Sequence, residues 1–156
     1  MKKLIFTTLF SLFAIISISA QKNDASISKL YQNYLTLKNA LVADDSDNAS
    51  KAATYFLKSA SLIDYKVLSE GNLDLLRKDA SKIEDSRSIE VQRETFNHLS
   101  KNMIALSQKF KLADQSVYIQ YCPMAKASWL SAEKKIQNPF YGSSMVNCGT
   151  VKAELK

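Results

Sequence analysis

Four sulfur atoms near the C-terminus of this 156-residue chain are its most distinctive chemical feature. Cys122 and Met124 stand at C-x-M spacing, and Met145 and Cys148 at M-x-x-C spacing, with a loop between them long enough to fold back. Thiolate and thioether are soft donors, which select Cu(I) and related ions over Mg or Ca. Pro123 stiffens the first pair, as suits a site that must hold ligand geometry. The same residues fit plainer roles. In an oxidising compartment two cysteines suit a Cys122–Cys148 disulfide, and methionines commonly fill cores. A structural zinc site asks for a complete Cys/His set. The chain has one histidine, His98, set beside an apolar helical stripe. It reads as a boundary residue or as a further ligand reaching the sulfur cluster.

Enzyme chemistry finds no foothold. A lone histidine rules out H-E-x-x-H, and there is no G-x-S-x-G, P-loop or dinucleotide fingerprint. No C-x-x-C occurs, so thioredoxin-like exchange lacks its usual motif. The expectation is a protein that is not an enzyme. Its formal charge of +6 is modest, and the basic residues are spread along the chain rather than clustered with aromatics. That pattern describes a solvated surface and not a nucleic-acid footprint.

The N-terminus predicts export. Met1-Lys2-Lys3 is basic, Leu4–Ile18 is nearly all apolar, and Ala20 precedes an abruptly polar Gln21-Lys22-Asn23-Asp24. This order reads as a cleaved signal peptide over residues 1–20, with an uncleaved N-terminal anchor as the alternative. No cysteine stands directly after the apolar run, so a lipid anchor is not expected. Cleavage takes away Lys2 and Lys3 and no acid, leaving 19 basic against 15 acidic side chains. A periplasmic or secreted location follows, with no membrane span after cleavage.

Residues 21–156 are expected to form one domain, a helical bundle over 26–110 and a sulfur- and aromatic-rich segment over 111–156. The bundle should hold about four helices packed antiparallel, since the loops are short. Apolar residues recur at helical spacing through Ile27, Leu30, Tyr31, Tyr34, Leu37 and Leu41, then through Ala49, Ala52, Ala53, Phe56, Ala60 and Ile63. A third stripe runs Leu73, Leu76, Ala80, Ile83, and a fourth Phe96, Leu99, Met103, Leu106, Phe110. After Phe110 the pattern changes. Val117–Cys122 alternates like a strand, Ala127–Ile136 reads as a short helix, and Met145–Val151 holds another extended piece. The fold class is therefore mostly α: a bundle with a C-terminal segment of loops, a small helix and one or two short strands packed against it.

The run Val117-Tyr118-Ile119-Gln120-Tyr121-Cys122-Pro123-Met124-Ala125, then Trp129-Leu130-Ser131, Ile136-Gln137-Asn138-Pro139-Phe140-Tyr141-Gly142, Met145 and Cys148-Gly149 resembles an uncharacterised bacterial domain family, DUF3347. Tyr34–Val42 and Glu90–Ser100 resemble its first and last helices. The resemblance implies an exported helical bundle with a metal-associated tail. The family also occurs fused to periplasmic adaptor subunits of copper/silver efflux pumps. It therefore implies a soft metal ion as ligand and an efflux adaptor as partner. The expected metal ligands are Cys122, Met124, Met145 and Cys148, with His98 outside the pattern. The alternative is a disulfide-pinned interaction module that docks on such an adaptor.

Overall fold

The computed structural model describes residues 21–156; the expected signal peptide at 1–20 lies outside the described residues. A short strand, β1 (Lys22–Asn23), leads into α1 (Ala25–Val42), which Asp24 caps by accepting the Ser26 N–H at 2.9 Å. Asp45 caps α2 (Ser46–Ser61) through the Asn48 N–H at 2.9 Å. The third helix, α3 (Glu70–Asp85), follows Ser69 without a side-chain cap. Ser88 caps α4 (Ile89–Ser107) at the Val91 N–H, 3.3 Å away. Such caps satisfy backbone donors that a helix cannot satisfy itself.

The four expected stripes are the core. Ile27, Leu30, Tyr34, Leu37 and Leu41 of α1, Ala49, Ala53, Phe56 and Ala60 of α2, Leu73, Leu76, Ala80 and Ile83 of α3, and Phe96, Leu99 and Met103 of α4 are all buried. Each helix packs on its neighbour in sequence. The alanines of α2 leave little side chain between helix backbones, so α1 and α3 come close on both of its sides. Among the described residues no helix is long and apolar enough to cross a membrane.

Beyond α4 the chain turns to strands. β2 (Phe110–Lys111) pairs in parallel with β1, tying the start of the described chain to the end of the bundle. β3 (Val117–Cys122), β4 (Ala127–Ser131) and β5 (Thr150–Leu155) form an antiparallel sheet in the order β4-β3-β5. The protein is thus mostly α with C-terminal strands. Two local expectations fail: of Met145–Val151 only the last two residues are strand, and Ala127–Ile136 is not a helix. Its first half is β4 and its second half is irregular. The cause is the tight Pro123–Lys126 turn, closed by Lys126 N–H to Pro123 O at 3.3 Å, which brings Ala127 opposite Cys122. Strand pairing then overrides the helical composition of Ala127-Ser128-Trp129-Leu130. The helical element in this segment is a single 3-10 turn, Gly142–Ser144.

Candidate functional site

Both cysteines reach one place by different routes. Cys122 ends the central strand β3 and is fully buried. Gln120 and Trp129 pair across the β3–β4 ladder on the same side as Cys122. The loop from Ala132 to Gly149 folds back over this side of the sheet. Gln120 anchors it, donating from Nε2 to the Glu133 carbonyl at 2.8 Å and to the Lys135 carbonyl at 3.2 Å. Asn138, also fully buried, anchors it again: Nδ2 donates to the Cys148 carbonyl at 2.8 Å, and its own N–H to the Val146 carbonyl at 2.8 Å. Cys148 then closes a turn on the Met145 carbonyl at 3.0 Å, and Gly149 leads into β5.

The result is a Cys122 Sγ to Cys148 Sγ separation of 2.9 Å, with both thiols unbonded. Gly149 makes the approach possible. Its φ of +148° is one L side chains rarely adopt, and a Cβ there would stand 3.0 Å from Trp129 Cη2 and 3.0 Å from the Tyr121 carbonyl. The backbone beside Cys148 therefore lies directly against Trp129.

The two thiols are electrostatically unlike. Burial pushes the Cys122 thiol up, but hydrogen bonds from the Cys148 thiol, the Ala125 N–H, the Asn138 amide and the Met124 N–H more than offset it. Its net shift is downward. Cys148 shifts upward, because its proton is the one shared with Cys122 and because burial and the charge of Cys122 oppose ionisation. A thiolate on Cys122 held by a thiol on Cys148 is the favoured singly ionised state.

The thioethers are placed differently. Met124 sits in the β3–β4 turn two residues from Cys122 and is 63% exposed. Met145 is partly covered and contributes its carbonyl to the Cys148 turn. His98 is exposed on α4 and lies near Asp79 of α3, whose carboxyl feels its charge. At 100° per residue it stands on the helix face opposite Arg93, Phe96 and Ser100, the face that meets the tail. The structure brings the cysteines together and leaves His98 on the far side of the bundle. Among the described residues no group of three or more His, Cys, Asp or Glu side chains gathers as a metal-ligating set, so an ion held here would depend on sulfur.

Two further features were not singled out from the sequence. Asn138 stood in the Ile136–Gly142 run with no task assigned to it, yet it braces the cysteine loop from inside. Arg93 read as one more surface charge, yet its guanidinium bonds the Pro139 carbonyl at 2.8 Å, the Leu41 carbonyl at 2.8 Å and the Asp44 carboxylate. It thereby joins α1, α4 and the tail. The Asn-Pro pair was a usable signal for the first; nothing in the sequence pattern marks the second.

The family model described as a protein of unknown function, DUF3347, matches residues 30–115, and the chain belongs to that family. The matched span covers the four helices almost entirely, and both cysteines lie beyond it. No curated protein and no solved structure matches the chain.

Proposed function

We propose that this is an exported protein that binds a soft metal ion, Cu(I) foremost, for sequestration or delivery linked to metal efflux. The observation that carries the reading is the 2.9 Å approach of Cys122 and Cys148, two soft donors 26 positions apart in sequence. Cys122 is set to ionise first, which is what a thiolate ligand requires. Met124 and Met145 flank the pair within three residues on either side. The exposed thioether of Met124 is free to turn toward an arriving ion and complete a sulfur set. Thiolate–metal bonds of about 2.3 Å need the two sulfurs to part by roughly 1 Å to grip one ion. Cys148, held in an irregular turn, is the partner able to yield. Trp129 and the buried Asn138 exclude water on the inner side, which favours soft ligation over hydrolysis or oxidation.

Anaerobic titration of the reduced protein with Cu(I), against a competing chelator, tests the reading. The expected result is stoichiometric uptake that the Cys122→Ser/Cys148→Ser double variant loses by at least about tenfold, a difference of roughly 1.4 kcal/mol in binding free energy. Equal uptake by both proteins removes the proposal.

The same approach of the sulfurs favours a second reading, in which a Cys122–Cys148 disulfide pins the tail of a non-enzymatic module that docks on an efflux adaptor. The mass of the untreated exported protein separates the two. A complete two-hydrogen deficit that persists whatever the metal supply supports the module, and free thiols support the metal site.

A further inference from the structure

We propose that Cys122 and Cys148 form an exchange-active pair in which an incoming thiolate attacks Cys148 and Cys122 is the sulfur that departs. The assignment goes beyond metal binding and does not depend on it. It stands on an asymmetry built by the fold. Cys148 is partly exposed in the turn that precedes β5, whereas Cys122 is fully buried at the end of the central strand. In thiol–disulfide exchange, access decides which sulfur is struck, and stabilisation of the departing thiolate decides how fast the bond breaks. Access belongs to Cys148. Stabilisation belongs to Cys122, whose Sγ accepts the Ala125 N–H at 3.4 Å at the base of the β3–β4 turn. The surrounding frame also survives the loss of the bond. β3 is held by ladders on both edges, and the Asn138 amide holds the Cys148 carbonyl as well as Cys122. A bond between the two sulfurs can therefore open and close without unfolding the sheet. The usual C-x-x-C loop is absent, and the fold supplies the proximity instead.

The chemistry balances with a small-molecule thiol as co-reactant. In the oxidised protein the reagent thiolate bonds to the Cys148 sulfur, and the Cys122–Cys148 bond breaks with its electron pair on Cys122. A second reagent thiolate bonds to the first reagent's sulfur, and Cys148 departs with the electron pair of the mixed disulfide. The two protons of the reagent thiols pass to Cys122 and Cys148. One protein disulfide is reduced to two thiols, and two reagent thiols are oxidised to one disulfide.

The test uses the full chain with no metal added. The protein is first oxidised with glutathione disulfide, then pulsed briefly with glutathione, quenched in acid and mapped by peptide mass spectrometry. The expected result is an internal Cys122–Cys148 bond that opens to a mixed disulfide, with glutathione on Cys148 exceeding glutathione on Cys122 by at least about tenfold, as access-controlled exchange requires. Glutathione mainly on Cys122, or equally on both, overturns the proposal. So does a pair that does not close, or a bond that resists glutathione until the protein is denatured. Cu(I) uptake by the reduced protein is unaffected by any of these outcomes, so the metal reading stands or falls separately.

Discussion

Tyr34 joins bundle and tail through a single hydroxyl. Its ring stacks with Phe96, centroids 5.2 Å apart, and its OH meets Ser100 Oγ at 2.7 Å while accepting the Leu130 N–H at 3.1 Å. Leu130 lies on β4, at the edge of the sheet, where a strand would otherwise present an unpaired donor. The phenol is fully buried, and burial raises its pKa far beyond any working pH, so it stays neutral and can both accept and donate. Replacing Tyr34 with Phe keeps the stacked ring and removes both partners. The Leu130 N–H and the Ser100 hydroxyl are then buried without satisfaction, at a cost of about 1–3 kcal/mol. Denaturant unfolding should show the midpoint falling by that energy divided by an unchanged slope; a loss within error would mean that water reaches β4. The helical stripe predicted that Tyr34 points inward. It did not reveal the hydroxyl's task, because periodicity reports which face is buried and not what a polar atom on that face meets.

Among elements, the junction of the α1–α2 turn, α4 and the 3-10 turn is held by charge. Asp44, at a φ of +58°, pairs with Arg93 and accepts the Ser143 N–H at 3.0 Å. Hydrogen bonds from Ser143, then the Arg93 guanidinium, pull the Asp44 carboxyl from 3.8 down to about 2. A depressed carboxyl contributes stability that is complete above its unfolded value and is lost as pH falls through its folded one. The contribution of Asp44 should therefore fade between about pH 4 and pH 2. The difference in unfolding midpoint between wild type and Asp44→Asn, clear at pH 7, should shrink over that interval; a difference as large at pH 2 as at pH 7 refutes the linkage. Gly142 belongs to the same junction. At a φ of +51°, a Cβ there would overlap the Asp44 carboxylate and the Arg93 guanidinium. Gly142→Ala should cost more than the roughly 1–2 kcal/mol of left-handed strain alone, since the ion pair must also open. If circular dichroism finds that variant as stable as wild type, the junction is not tight. Elements were legible to different degrees. The four helices follow from spacing, and three of them also from caps, all local in sequence. β4 was misread because Ala, Ser and Leu suit a helix, and its true partner, β3, is specified only once the Pro123–Lys126 turn has formed.

For the whole molecule, the decisive question is whether bundle and tail unfold as one. The contacts between them form a continuous apolar path: Tyr31 stacks on Tyr34, Tyr34 on Phe96, Phe96 meets Phe140 at 5.9 Å, and Phe140 meets Trp129 at 5.9 Å. Arg93 and Tyr34 add polar ties across the same boundary. The segment over 111–156 is short and poor in aliphatic residues for a core of its own. What composition could not convey was that the tail covers Phe96 and Tyr34, so that the helices depend on the strands as much as the reverse. The sulfur pair was legible only as two clusters with a loop between them, since convergence is a property of the returning chain. Trp129, the single tryptophan, lies in the tail, whereas the helical signal comes from the bundle. Thermal unfolding followed by tryptophan fluorescence and by circular dichroism at 222 nm therefore observes the two parts separately. One cooperative unit requires coincident midpoints. Closing the Cys122–Cys148 bond constrains about 27 residues of the unfolded chain, worth about 3.5 kcal/mol if strain is small. In a single unit that stabilisation must raise both midpoints together, although the bond lies wholly within the tail. Were oxidation to raise the tryptophan midpoint and leave the helical one in place, the aromatic path would not couple the two parts, and the tail would be a separately melting cover on an independent bundle.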